Sequence, residues 1–166
     1  MARSAKPRRS ASLSHVDPRG RVRMVDVSEK AETAREAVAE AEVRMSAAAV
    51  RAIRRKQVRK GDPLQTARLA GIMAAKRTAD LIPLCHPLQL SHVDVDLRPR
   101  PRGYVIRSLV RTRGRTGVEM EALVAVTAAA LTMYDMLKAV DRSMVIGAVR
   151  LLEKSGGRSG HYRRRP

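Results

Sequence analysis

Residues 118–140, VEMEALVAVTAAALTMYDMLKAV, run without a Gly or a Pro and are dense in Ala, Leu, Met and Glu, all strong helix formers. Gly117 closes the turn before them. At ~1.5 Å rise per residue such a helix would span roughly 34 Å, the width of a small domain. The rest of the chain has to be organised around it. Most of its positions are apolar (Leu123, Val124, Val126, Ala128, Ala129, Leu131), as expected of a helix buried on more than one side. Charge is confined to its ends, with Glu119 and Glu121 in the first turn and Asp135 and Lys138 near the last. Taken alone, these charges complement the helix dipole, and Asp135 and Lys138, three apart, make a surface ion pair.

What can pack around that helix is limited. The 166 residues make one domain with a real core. They include three Tyr but no Phe or Trp, so the core is expected to be Ala, Val, Leu, Ile and Met. Cys85 is the single cysteine, which excludes an internal disulfide or a zinc site of several thiolates and fits a reducing cytosol. No metal site is expected. No apolar run approaches the ~18 residues of a membrane span, and no apolar stretch follows the basic N-terminus as in a signal peptide. The expectation is a soluble, cytoplasmic protein with no membrane partner.

The net charge of +18 raises a nucleic-acid reading, so its placement matters. Residues 1–23 hold seven Arg or Lys against Asp17, and residues 154–166 hold five with no acid, leaving +7 for the 130 residues between. Segments rich in Arg, Ser, Gly and Pro are usually solvated tails. We therefore expect basic, disordered tails at 1–23 and 158–166 around a single α+β domain at 24–157. Some polyanion affinity follows from counterion release, but there is no aromatic platform for stacking bases. A small phosphorylated substrate suits the remaining charge equally well. A basic nucleic-acid-binding module stands as the alternative.

Taken in order, Ala37, Ala39, Ala41, Val43 and Met45 alternate with Val38, Glu40, Glu42 and Arg44. That period of two argues for a strand with one buried face, against the helical propensity of Ala and Glu. Ser46 caps a short helix over 47–55 with Ala49, Val50 and Ile53 inward. Asp62 and Pro63 start a second helix, expected to run over 64–82 with Leu64, Ala67, Ile72, Ala75 and Leu81 available for burial, and Pro83 ends it. Gly71 inside it costs roughly 1 kcal/mol unless another backbone packs close there. The loop Leu84-Cys85-His86-Pro87-Leu88 cannot be helical past His86. Residues 90–97 and 104–114 read as a hairpin across a turn at 98–103, and 144–154 as a final strand. The order β-α-α-β-β-α-β predicts a ferredoxin-like sandwich, an antiparallel sheet with helices on one face.

Several polar groups fall just beyond these elements: Lys60, the Cys85-His86 loop, Glu119 and Glu121, and Asp135 with Lys138. A pocket joining them would suit acid–base work on an anionic substrate, with lysines holding phosphates and an Asp–Lys pair shifted for proton transfer. There is no P-loop, dinucleotide fingerprint or Ser-His-Asp elbow. From the residues alone, an acid–base enzyme and an anion-binding module both remain open.

The blocks MVDVS at 24–28, KGD at 60–62, TAR-AGI-AAKRT across 66–78, DLIPLCHPL at 80–88, TGVEMEAL at 116–123, YDM-KAV at 134–140 and KSGG at 154–157 resemble one family. It is the MoaC family, the cyclic pyranopterin monophosphate synthases of molybdenum-cofactor biosynthesis. The resemblance runs from about Met24 to Gly160. It implies a phosphorus–oxygen lyase that converts 3′,8-cyclo-7,8-dihydro-GTP, handed over by a radical S-adenosylmethionine GTP cyclase, into the cyclic phosphate with release of pyrophosphate. It implies Asp135 and Lys138 as the catalytic pair. Leu84, Cys85, His86, Met120 and Glu121 fall where the family contacts substrate, Lys60 at the triphosphate, and Lys76, Arg77 and Lys154 at further anion contacts. No cofactor is required; whether Mg2+ accompanies the triphosphate is left open. The implied fold is ferredoxin-like, and the implied assembly is a hexamer, a trimer of dimers with active sites at the dimer interface. Ala79, where the family commonly has an aromatic, and the Arg/Pro-rich turn at 98–103 depart from the pattern.

Overall fold

The computed structural model describes residues 16–17, 19–158 and 160–165. Most of the N-terminal segment read as a tail, residues 1–15 and Pro18, lies outside the described residues, as do Ser159 and Pro166. The elements are β1 (Thr33–Arg44), α1 (Ala47–Arg54), α2 (Pro63–Ala75), α3 (Thr78–Leu81), β2 (Leu90–Arg100), β3 (Gly103–Gly114), α4 (Glu119–Leu137), β4 (Val145–Ser155) and β5 (Tyr162–Arg163).

Period-two alternation wins over helix propensity in β1. Ala37, Ala39, Ala41 and Val43 are essentially inaccessible, and the strand lies centrally, paired antiparallel with β3 on one side and β4 on the other. The strand order is β2-β3-β1-β4-β5, antiparallel throughout. α4 packs across β1, β3 and β4, and α2 lies beside α4 over β2. This is the ferredoxin-like arrangement the element order predicts. The opposite face of the sheet is polar: Glu40, though only 7% exposed, accepts from Arg107 Nε at 3.0 Å and Arg150 at 2.7 Å. A single 2.8 Å bond from the buried Ser108 hydroxyl to the Ala122 carbonyl ties β3 to the first turn of α4.

Without large aromatics, the layers meet through small side chains. Ala122, Ala125, Ala129 and Ala130 of α4 are as fully buried as the alanines of β1. Gly71 of α2 is the closest approach: a Cβ built there would stand 2.9 Å from the Ala125 carbonyl and 3.1 Å from Val95 Cγ2. The helix-weakening glycine is therefore required by its neighbour's backbone.

Several boundaries differ from the sequence reading. The helix expected over 64–82 breaks at Lys76–Arg77. Arg77 N bonds to Ala74 O at 3.0 Å, a tightened turn, and the buried Thr78 hydroxyl donates to Ala75 O at 3.0 Å, so a side chain competes for the carbonyl the helix would use. Leu81, beyond the break, is 61% exposed rather than buried. The sheet continues through Arg98–Arg100, leaving only Pro101 and Arg102 for the turn. Pro99 is tolerated there because β2 is an edge strand. The three-residue step from Leu90 to Val93 is a register shift in the β2–β3 ladder. The C-terminal segment read as a disordered tail returns to the sheet, where Tyr162 and Arg163 pair with Lys154 and Glu153. α4 is shorter than expected and not buried all round, since Leu131 is 58% exposed. By length and composition α4 could cross a membrane, contrary to the sequence expectation, but half of it is packed inside the fold.

Gly71→Ala tests the close α2–α4 approach. Helix propensity alone favours Ala by roughly 1 kcal/mol, but overpacking against a backbone carbonyl costs about 1–3 kcal/mol. We expect net destabilisation by urea titration; a stabilised variant would mean the helices do not meet at Gly71.

Candidate active site

The C-terminal end of α4 carries a compact ion cluster. Asp135 lies in its last turn and Lys138 caps it, so the i, i+3 spacing puts both on one face. Lys60 arrives from the α1–α2 connection. There Val58 is buried, Gly61 turns the chain at φ +101°, and Asp62 caps α2 by accepting from Leu64 N at 2.9 Å. Lys138 Nζ and Lys60 Nζ each stand 2.8 Å from one Asp135 carboxylate oxygen, and Lys60 also donates to the Asp135 carbonyl at 2.9 Å. The hydrogen bond from Lys138, then that from Lys60, pulls the Asp135 carboxyl down to about 2. A carboxylate so stabilised is a weak proton acceptor. Its physical effect is to hold two ammonium groups side by side.

The N-terminal end of α4 borders a cavity of about 320 Å³. The loop after α3, turned by Cys85 N to Ile82 O at 3.0 Å, contributes Leu84, Cys85 and His86. α4 contributes Glu119, Met120 and Glu121, and the irregular segment before β1 contributes Val25, Val27 and Lys30. Glu121 is 4% exposed. Burial, with help from the Glu119 charge, pushes its carboxyl up to about 7. Burial and the Glu121 charge likewise push the Cys85 thiol up. Near neutral pH, Glu121 is therefore poised to give or take a proton. The Glu119 carboxylate folds over Gly117, into the space a Cβ there would take.

A larger cleft of about 790 Å³ adjoins this cavity and shares Lys30, Thr116, Gly117 and Glu119 with it. Arg35, Arg115 and Arg158 make it cationic. Arg35 is pinned by bonds to the Gly114 and Arg115 carbonyls at 2.9 and 3.0 Å. Its guanidinium lies against Gly157, where φ is +70° and a Cβ would collide with it. Of the two glycines of KSGG, Gly157 makes room for the arginine, and Gly156, at φ +92°, for the Ala34 carbonyl.

The structure groups Lys60 with Asp135 and Lys138, and Leu84, Cys85 and His86 with Met120 and Glu121. It does not join the two groups within one chain. Fourteen residues of helix separate Glu121 from Asp135, about 21 Å, so within one chain the two clusters do not form the single pocket expected from the sequence. Lys76 and Arg77 are exposed at the α2–α3 break and line neither cavity. Lys154 stands in β4 opposite Ala37, beside Tyr162 and next to the Gly156-Gly157 turn. Lys30, Arg35, Arg115 and Thr116 were not singled out from the sequence. Thr116 opens the TGVEMEAL block without having been given a role, and the only signal of the other three is proximity to that block or to MVDVS. Among the described residues, no group of three or more His, Cys, Asp or Glu is arranged to hold a metal ion.

Comparison with known proteins matches residues 24–157 to the model of the MoaC family. The chain is 58% identical over 158 residues to a protein of Nostoc sp. named cyclic pyranopterin monophosphate synthase, covering 94% of each. Proteins of the same name from Methylobacterium sp. and Roseiflexus sp. are 60% and 58% identical over 154 residues, 92% of this chain and 96% and 98% of theirs.

Glu121 gives the site a pH signature. Its carboxyl moves from an ordinary 4.5 to about 7 on folding, so between those values the folded chain keeps a proton that the unfolded chain has released. This contribution to stability is full below about 4.5 and declines as pH rises to about 7. Glu121→Gln should match the wild type near pH 4.5 and exceed it at pH 8, by on the order of 3 kcal/mol, in urea titrations at both pH values. A gap that does not widen with pH would contradict the burial argument.

Proposed function

Because the chain belongs to the MoaC family, we propose that it is a cyclic pyranopterin monophosphate synthase of molybdenum-cofactor biosynthesis. It acts as a phosphorus–oxygen lyase on 3′,8-cyclo-7,8-dihydro-GTP, which a radical S-adenosylmethionine GTP cyclase supplies. The observation that carries the reading is the intact Lys60–Asp135–Lys138 cluster at one end of α4, with a cavity holding a titratable, buried carboxyl at the other. The alternative of a basic nucleic-acid-binding module is not favoured, since relatives named as synthases match more than nine-tenths of the chain.

Forming the cyclic phosphate makes one P–O bond at the α-phosphorus and breaks the one to the departing pyrophosphate. Negative charge grows on the leaving group, and fixed cations favour that change. Lys60 and Lys138 are placed to supply it. Asp135, ionised throughout, keeps both ammonium groups in position, and Lys138 is its partner in the catalytic pair. Leu84, Cys85, His86, Met120 and Glu121 enclose the ring system, with Glu121 able to exchange a proton. Lys76, Arg77 and Lys154 complete the anion contacts in the assembled protein.

The assembly follows from the same separation. Half-sites about 21 Å apart on one helix act on one molecule when a second copy brings the missing half. An apolar hollow of about 340 Å³ over Leu81, Leu123, Val124 and Leu131 reaches Met120 at the cavity rim, and exposed apolar surface of this kind marks an interface. We assign a hexamer, a trimer of dimers with shared sites, working in the cytoplasm.

Two measurements test this reading. Asp135→Asn and Lys138→Ala should each lower pyrophosphate release at least about a hundredfold while still assembling; near wild-type release by either variant would remove the pair from the chemistry. Coexpressed Asp135→Asn and Glu121→Ala chains, each inactive alone, should regain turnover at about one quarter of sites if each site spans a two-fold interface. No recovery in mixed oligomers would place each site within one chain.

A further inference from the structure

His86 is fixed from outside its own loop. Its Nε2 lies 2.8 Å from the carbonyl oxygen of Val25, 61 residues earlier in the chain. A carbonyl only accepts, so the proton of this bond sits on Nε2, and in the neutral ring Nδ1 holds the lone pair. Nδ1 makes no hydrogen bond among the described residues, while the ring lines the cavity with Cys85, Met120 and Glu121.

Val25 belongs to a stretch with no helix or strand, yet the stretch is ordered by its own side chains. The Asp26 carboxylate accepts from Ser28 N at 2.9 Å and from the Ser28 hydroxyl at 2.7 Å, and Lys30 N donates to Val27 O at 3.0 Å. These bonds make a turn that sets where the Val25 carbonyl points. They also deliver Val25, Val27 and Lys30 to the cavity wall. Asp26 itself lines no cavity; it acts on the site through that turn and through its charge, which the His86 ring feels directly.

We propose that residues 25–28 are a positioning strap: the Val25 carbonyl locks His86 as the Nε2–H tautomer, so that Nδ1 meets the substrate as a hydrogen-bond acceptor. Beside it, the protonated form of Glu121 supplies a donor. An acceptor and a donor lining one cavity suit an amide-like edge, N–H beside C=O, of a guanine-derived ring. The inference rests on reading this cavity as the substrate site.

The test is nitrogen-15 NMR of His86 in the assembled protein, assigned by comparison with His86→Asn, alongside pyrophosphate-release kinetics. The wild type should show Nε2 protonated and Nδ1 bare. Asp26→Ala, which removes both the turn and a charge felt by the ring, should give a tautomer mixture and lower kcat roughly tenfold, the usual scale for losing a supporting hydrogen bond, whereas Asp26→Asn, which removes the charge but keeps the turn's acceptor, should leave the tautomer unchanged. His86→Asn, whose amide oxygen can occupy the Nδ1 position, should retain more activity than His86→Gln. A wild-type ring protonated on Nδ1, or an Asp26→Ala protein that loses activity with its tautomer unchanged, would overturn the proposal. The NMR arm needs no turnover, so it separates failure of the strap from failure of the enzyme reading.

Discussion

The close contact of α4 with two neighbours at once is what the other features depend on. On one side it meets the alanines of β1, and on the other the backbone at Gly71 of α2. Dispersion falls off steeply with separation, so a core without Phe or Trp has to bring backbones close to reach ordinary packing density. Small residues allow that. The result is a rigid bar whose two ends emerge at opposite ends of the strands it crosses, each carrying ionisable groups. The site chemistry sits at the ends of α4 because its middle is packed against its neighbours.

The two ends create opposite electrostatic conditions. At the solvent-exposed end, two lysines hold Asp135 ionised down to about pH 2. At the other end, burial keeps the Glu121 carboxyl protonated up to about pH 7. One end therefore offers fixed charge and the other an exchangeable proton. Within one chain the two ends lie about 21 Å apart, beyond a Debye length, so the lysine charges at one end leave the carboxyl at the other to be governed by its burial.

Much of this was legible in the residues. The alternation from Ala37 to Met45 gave the central strand, Asp62-Pro63 gave the start of α2, and Gly71 signalled a close neighbour before the neighbour was known. Other features were not legible because they depend on partners distant in the chain. The break at Lys76–Arg77 is set by the Thr78 hydroxyl capturing a carbonyl, and β5 exists because the edge of β4 accepts it. The separation of Glu121 from Asp135 was countable from the start. What the residues alone did not supply was whether the two ends serve one pocket; only the family resemblance spoke to that. Lys30 and Arg35 escaped notice because isolated cations near a strand start look like solvated charge until a cavity is seen beside them.

The central claim is that the two ends of α4 complete each other between copies of the chain. It is tested most directly by a structure of the assembled protein with guanosine triphosphate bound as a substrate-like ligand. The account predicts one nucleotide held by His86 and Glu121 of one copy and by Lys60 and Lys138 of the next. A nucleotide contacted by a single copy alone would contradict it.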